Sequence, residues 1–268
     1  METLLLKLLL APALVVASTL AGRRWGPGVA GILIGQPVVA GPILFIVFVQ
    51  HGAVFTSHAA TASLTGVAAL AAFALVYAWV ARRLPWALTL LIGWVVVLGM
   101  DAATSAVSLA PVVAFGVALA AIATAGSLLP PAEADLPPAP APPRWDLAAR
   151  AVATGGLVLA VTSAAGVLGP FWTGALAPFP IGVSIIAAFV HAQAGAAHVR
   201  ATLAGALTGM VGLATFCVVV AVAVLPWGWF AFVVGVGAAI GAQLLASWVV
   251  SRPRVHAAGR PADPPPGR

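Results

Sequence analysis

Few residues in this chain could do chemistry, and they lie far apart. Asp101 is the only acidic residue inside a long apolar run, about 22 Å from the inner end of its segment at 1.5 Å per residue. A carboxylate at that depth must be protonated, paired or facing water, so it reads either as a proton or cation carrier or as a helix cap near the outer surface. Prolines supply the second signal. Pro37 lies mid-run with Gln36 before it and Gly41 and Pro42 after it, and Pro178 and Pro180 lie mid-run with Gly174 and Gly182 nearby. Proline removes a backbone hydrogen bond, so each position predicts a broken helix whose freed amides and carbonyls need partners. An ion or polar ligand could supply them, and so could a neighbouring helix. Gln243 is the counterpart of Asp101 when one residue of drift is allowed.

Four polar residues near predicted helix ends, Gln50, His51, His191 and Gln193, are candidates for gating contacts or a proton relay, with interfacial side chains as the plainer alternative. His51 and His58 are seven residues apart, as are His191 and His198, which is too far for the i, i+4 pairing of a zinc helix. The single cysteine, Cys217, excludes a disulfide framework, a thiolate metal site and a CxxC redox pair. No phosphate-binding loop, nucleophile elbow, HExxH helix or paired carboxylate occurs. The expectation is a non-enzyme with no cofactor and no bound metal.

The surrounding chain explains this sparseness. Of 268 residues, 62% are apolar and 7% are charged, and mean hydropathy is +1.12. Soluble domains carry about a quarter charged residues. The net charge of +6 comes from basic residues set in ones and twos between apolar runs, so it marks a polytopic membrane protein and not a nucleic-acid binder.

Nine runs are long enough to cross a bilayer: Leu4–Ala21, Pro27–Val49, Ala53–Ala81, Trp86–Leu109, Pro111–Leu129, Leu147–Leu168, Phe171–Ala192, Ala201–Val224 and Trp227–Val250. With nine crossings, every arginine falls on one side, and Lys7 alone on the other. By the positive-inside rule the expected N-terminus is outside and the C-terminus cytoplasmic, in a bacterial inner membrane. Trp25, Trp86, Trp145, Trp172, Trp227 and Trp229 at run ends fit an interfacial aromatic belt. Pro130–Pro143 holds seven prolines and reads as an extended linker.

An internal repeat underlies the runs. A shift of 143 residues superposes Gly26-Pro27 on Gly169-Pro170, Pro37 on Pro180, Gln50 on Gln193, Gly52 on Gly195 and Phe73 on Phe216. The 48 aligned positions contain 16 identities, where chance gives roughly five. An odd number of crossings between equivalent helices inverts the second unit, which is a recurrent plan of secondary transporters. The expected fold is therefore all-α, with residues 1–109 as one transmembrane repeat and 147–250 as the other. Residues 110–129 form a connecting helix, 130–146 a cytoplasmic linker and 251–268 a basic tail. The glycines at 205, 209, 235, 237 and 241 are expected to let the two repeats pack closely.

The segment TGALAPFPIGVSIIAAFVHAQAGAAHVRATLAGALTG, residues 173–209, resembles the GlpM-type family of small bacterial inner-membrane proteins. Those are single four-helix units with a similar (A/S)GL-x-P-x-FP signature and an L-R-A-T-like entry to the next helix. The match covers 147–250 and, more weakly, 4–109, where the signature has become Ala30-Gly31-Ile32-Leu33-Ile34-Gly35-Gln36-Pro37. Where the family's turn tends to carry an acidic and a basic residue, this chain has Gln193-Ala194-Gly195. The resemblance implies a fused, duplicated unit, an inner-membrane location and a link to envelope polysaccharide production. Two functions stand side by side: a small translocator with a site between the two broken helices, and a non-transporting scaffold for envelope assembly. Expected partners are membrane lipid and a small molecule or ion, with a homodimer or envelope-assembly partner also open.

Overall fold

A computed structural model describes residues 2–37, 40–104, 107–130, 136, 138–168 and 179–251. These form eight helices and no strands: α1 (Glu2–Trp25), α2 (Pro27–Ile34), α3 (Ala40–Val80), α4 (Trp86–Thr104), α5 (Pro111–Leu128), α6 (Asp146–Leu168), α7 (Ile181–Trp227) and α8 (Phe230–Ser251). Among the described residues five helices, α3, α4, α5, α7 and α8, are long and apolar enough to cross a membrane. The expectation of nine separate spans is therefore corrected. The second and third runs do not end in a loop near residue 50. The chain stays helical on both sides of Gly52, and the same happens at Gly195 inside α7.

The two glycines explain the merger. α3 has 41 residues and α7 has 47. Straight helices of that length would run roughly 60 and 70 Å, about twice the hydrocarbon thickness. Gly52 has φ 79° and ψ −179°, and Gly195 has φ 84° and ψ −177°, a region closed to residues with a Cβ. Neighbouring contacts show the chain turning back there. Gly182 abuts Ile34, and Gly35, the next residue, abuts Ala206. In a straight α7 those two contacts would lie about 36 Å apart. In α3, Gly41 lies at Phe216 and Phe48 at Gly228, but Ser57 is back at the level of Ala221, donating to its carbonyl at 2.6 Å. Each long helix is thus a hairpin whose turn is one residue.

α2 runs beside the second leg of α7 with almost no side chain between them. A Cβ at Gly31 or Gly205 would collide with the backbone of Thr202 or Gly28, and one at Gly35 would lie 2.7 Å from the carbonyl oxygen of Ala206. Small residues at such a crossing maximise backbone contact, the main attraction between helices in lipid. The core continues through Leu64, Phe73, Tyr77, Leu203, Met210 and Phe216, all at most 1% exposed. Outward faces carry Leu91, Val95, Val152, Leu244 and Trp248, as an apolar solvent requires.

The crossing should tolerate no side chain. Gly205→Val should lower stability by about 1–3 kcal/mol through overpacking. Gly237→Val, at a position with open space around it, should leave the melting temperature in detergent unchanged. Equal melting temperatures for the two variants would contradict the contact.

Candidate functional site

The break expected at Pro37 is present. Helix α2 ends at Ile34, Gly35 to Pro37 form a turn, and helix resumes at Ala40. The turn opens one end of a cavity of about 600 Å³, lined by Gln36, Pro37 and Gly41 on this side. Phe45 and Phe216 form its walls, and Phe232, Val236, Ala239 and Ile240 of α8 face them. Phe232 stands edge-on to Phe45 at 5.2 Å and lies 6.3 Å from Phe216. Phe45, Val236 and Ile240 are each more than 40% exposed on the apolar outer surface, so the mouth faces the bilayer.

The inner end is polar. The Oε1 atoms of Gln36 and Gln243 both sit against Gly212, 3.3 and 3.4 Å from where a Cβ would stand. Gln243 is 9% exposed, and its amide nitrogen donates to Ser247 at 3.3 Å. Its Oε1 has no hydrogen-bond partner among the described residues. The sequence therefore placed Gln36, Pro37, Gly41 and Gln243 correctly in one neighbourhood. The phenylalanine walls went unnoticed, because phenylalanine in an apolar run carries no signal of its own.

Asp101 is elsewhere. It lies in the last turn of α4, 5% exposed, and its Oδ2 has no partner among the described residues. α4 packs on α3 and α7, whereas Gln243 belongs to α8. Pro180 is a non-helical residue at the start of α7, and Pro178 lies outside the described residues. Phe179 and Ser184 flank Pro180, and Trp94 of α4 packs on both. Its ring lies 5.4 Å from Phe179, and its Nε1 donates to Ser184 Oγ at 2.9 Å.

These two regions correspond position by position. Phe179, Pro180 and Ser184 lie 143 residues after Gln36, Pro37 and Gly41, and Val236 lies 142 after Trp94. Behind each stands a glycine pressed on a phenylalanine. A Cβ at Gly93 would be 2.6 Å from the Phe73 ring, and one at Gly235 would be 3.0 Å from Phe216. Where the first region is hollow, the second is filled by Trp94.

The relay candidates separate. His51 is exposed and stacks on Phe55 at 4.8 Å. Gln50 is also exposed. His191 meets the Tyr77 hydroxyl at 3.4 Å. Gln193 belongs to a buried ionic cluster that the sequence reading missed. Its amide donates to Asp146 at 2.6 Å and its Oε1 accepts from Arg150 at 3.2 Å. Arg150 also reaches both carboxylate oxygens of Asp146, at 2.9 and 3.0 Å, and Arg23 donates to Asp146 at 2.6 Å. Asp146 is fully buried and Arg150 is 4% exposed. Asp146 and Arg150, one helical turn apart after a proline-rich stretch, were the available clue. Among the described residues no group of three His, Cys, Asp or Glu could hold a metal.

At Asp146, burial pushes the carboxyl pKa up. The Gln193 amide, the charge and hydrogen bonds of Arg150 and the Arg23 hydrogen bond more than offset that, so it titrates below its ordinary 3.8. No family of known proteins, no characterised protein and no solved structure matches the chain.

A carboxyl depressed by folding contributes stability above its unfolded pKa and loses it as pH falls through the folded value. Asp146→Asn leaves Arg150 buried without a counter-charge and should cost about 3–5 kcal/mol at neutral pH. The gap to wild type in thermal unfolding should hold from pH 7 to 5 and narrow on acidification below 4. A gap that ignores pH would refute the ionic role.

Proposed function

We propose that the chain is a translocator of the bacterial inner membrane, made of two four-helix units in inverted topology, with paired sites at the two helix breaks. One observation carries the reading: equivalent surroundings at Gln36-Pro37 and Phe179-Pro180, hollow at one and filled by Trp94 at the other. Two like sites in opposite states are what one conformation of an alternating-access device contains.

Chain direction supports the inversion. α2 leaves the end of the bundle that holds Arg23. Its counterpart, the first leg of α7, starts beside Ile34 and returns to that end, where Gln193 meets Asp146 and Asp146 meets Arg23. The positive-inside rule makes the Arg23 end cytoplasmic. The C-terminus then lies inside and the N-terminus outside. The GlpM-type resemblance belongs to the same proposal, as does the absence of enzymatic activity.

The apolar lining of the open site favours a second reading, a static scaffold for envelope polysaccharide or lipid assembly. Motion separates the two. Spin labels at Val49 and Leu244, both exposed, report the spacing of α3 and α8 beside the cavity when Cys217 is replaced by alanine. A translocator should give two distance populations in bilayers, and Val236→Trp should shift their ratio. A single narrow distribution that ignores Val236→Trp would establish the scaffold.

A further inference from the structure

The open site faces lipid, is walled by phenylalanine and aliphatic side chains, and carries no charged residue among those that line it. That combination excludes several ligand classes. A hydrated ion or a sugar would have to shed water into an apolar chamber, at several kcal/mol per unpaired polar group. A phospholipid headgroup would need a cation, and the lining holds none. The volume of about 600 Å³ fits a small lipid-soluble molecule, since ligand pockets span roughly 300–1,000 Å³.

The inner end sets the one polar requirement. Ala239 and Ile240 line the cavity, and Gln243 follows one turn later on the same face of α8. Its buried Oε1 lacks a partner among the described residues and lies beside Gln36 against Gly212. A buried acceptor left unmatched costs about 1–3 kcal/mol, so a ligand that brings a donor gains by filling it. A hydroxyl satisfies the amide in either orientation, because it donates and accepts. The phenylalanine cluster offers ring faces and edges for an aromatic body.

We infer that the cavity between the Gln36-Pro37 break and α8 binds an uncharged, lipid-soluble phenol or long-chain alcohol, entering sideways from the bilayer with its hydroxyl on Gln243 and Gln36. This deepens the translocator reading by naming the cargo class and rests on that reading's site. It also assigns Val236 a part: the small residue that keeps open the space Trp94 fills at the equivalent position.

The test uses full-length protein in lipid nanodiscs and a photoreactive 4-alkylphenol, with cross-linked peptides mapped by mass spectrometry. Saturable labelling is expected on Phe45 and its neighbours and on α8 around Ile240, competed by unlabelled 4-octylphenol and poorly by octylbenzene. Gln243→Leu keeps the shape and removes the acceptor, so apparent affinity should fall about fivefold. Val236→Trp should abolish labelling, and Trp94→Val should create a second labelled patch at Phe179 and Ser184. Equal competition by octylbenzene, or unchanged affinity in Gln243→Leu, would overturn the hydroxyl assignment. Label spread evenly over all lipid-facing helices would overturn the site itself. The spin-label distances read the translocator proposal separately, so a moving protein that ignores the phenol loses only the cargo assignment.

Discussion

In hydrocarbon a peptide group has no water to bond, and this constraint organises the whole molecule. Every amide and carbonyl must be paired within the protein, so the chain is helical wherever it meets lipid. Two ways of leaving the helix remain. One is a reversal so short that few peptide groups are freed, which Gly52 and Gly195 achieve with a single residue each. The other is a break walled by neighbouring helices, as at Gly35 to Pro37, where α7 and α8 lie alongside. The glycines of α2 and α7 bring the helices close enough to provide that wall. Packing and site geometry therefore have one cause.

The proposed duplication gains meaning from where the two halves differ. Their framework positions agree. Gly93 and Gly235 each press on a phenylalanine, and Val97 and Ala239, 142 residues apart, are both almost wholly buried. The exchanges concentrate at the breaks. Gln36 stands against Phe179, Gly41 against Ser184 and Val236 against Trp94. Each exchange puts bulk or an internal hydrogen bond in the second half where the first has space or a spare acceptor. Asp101 against Gln243 continues the pattern, since both are buried and each has an oxygen without a partner among the described residues. Random drift after duplication would scatter changes over framework and break alike.

Residue identity revealed the helix breaks, the repeat and the nearness of Gln36 to Gln243. Proline and glamine-sized polar side chains are rare in apolar runs, and each has a definite physical consequence there. The span count failed for an equally physical reason. An apolar run is read as ended by polar residues, yet Gln50-His51-Gly52 and Gln193-Ala194-Gly195 turn the chain inside continuous helix. Hydropathy cannot distinguish a loop from a one-residue hairpin. The cavity walls were hidden too, because a phenylalanine facing a hollow and one facing lipid look alike in sequence. The ionic cluster was hidden because its members come from three helices, and only the Asp146–Arg150 spacing is local.

The two buried acids show how location decides the use of a charge. Asp146 sits where α1, α6 and α7 converge, and two guanidiniums and an amide surround it. Its ionised form is matched, so it fixes three helices at one end of the bundle. Removing its partners would strand a charge, which makes this end resistant to movement. The cavity lies toward the other end and is closed by aromatic contacts and dispersion alone, which have no such threshold. A bundle clasped ionically at one end and held by phenylalanine rings at the other is stiff where it is anchored and compliant where it is hollow. If the helices around Gln36 move, the Arg23–Asp146–Arg150 cluster is the fulcrum, and the motion grows with distance from it.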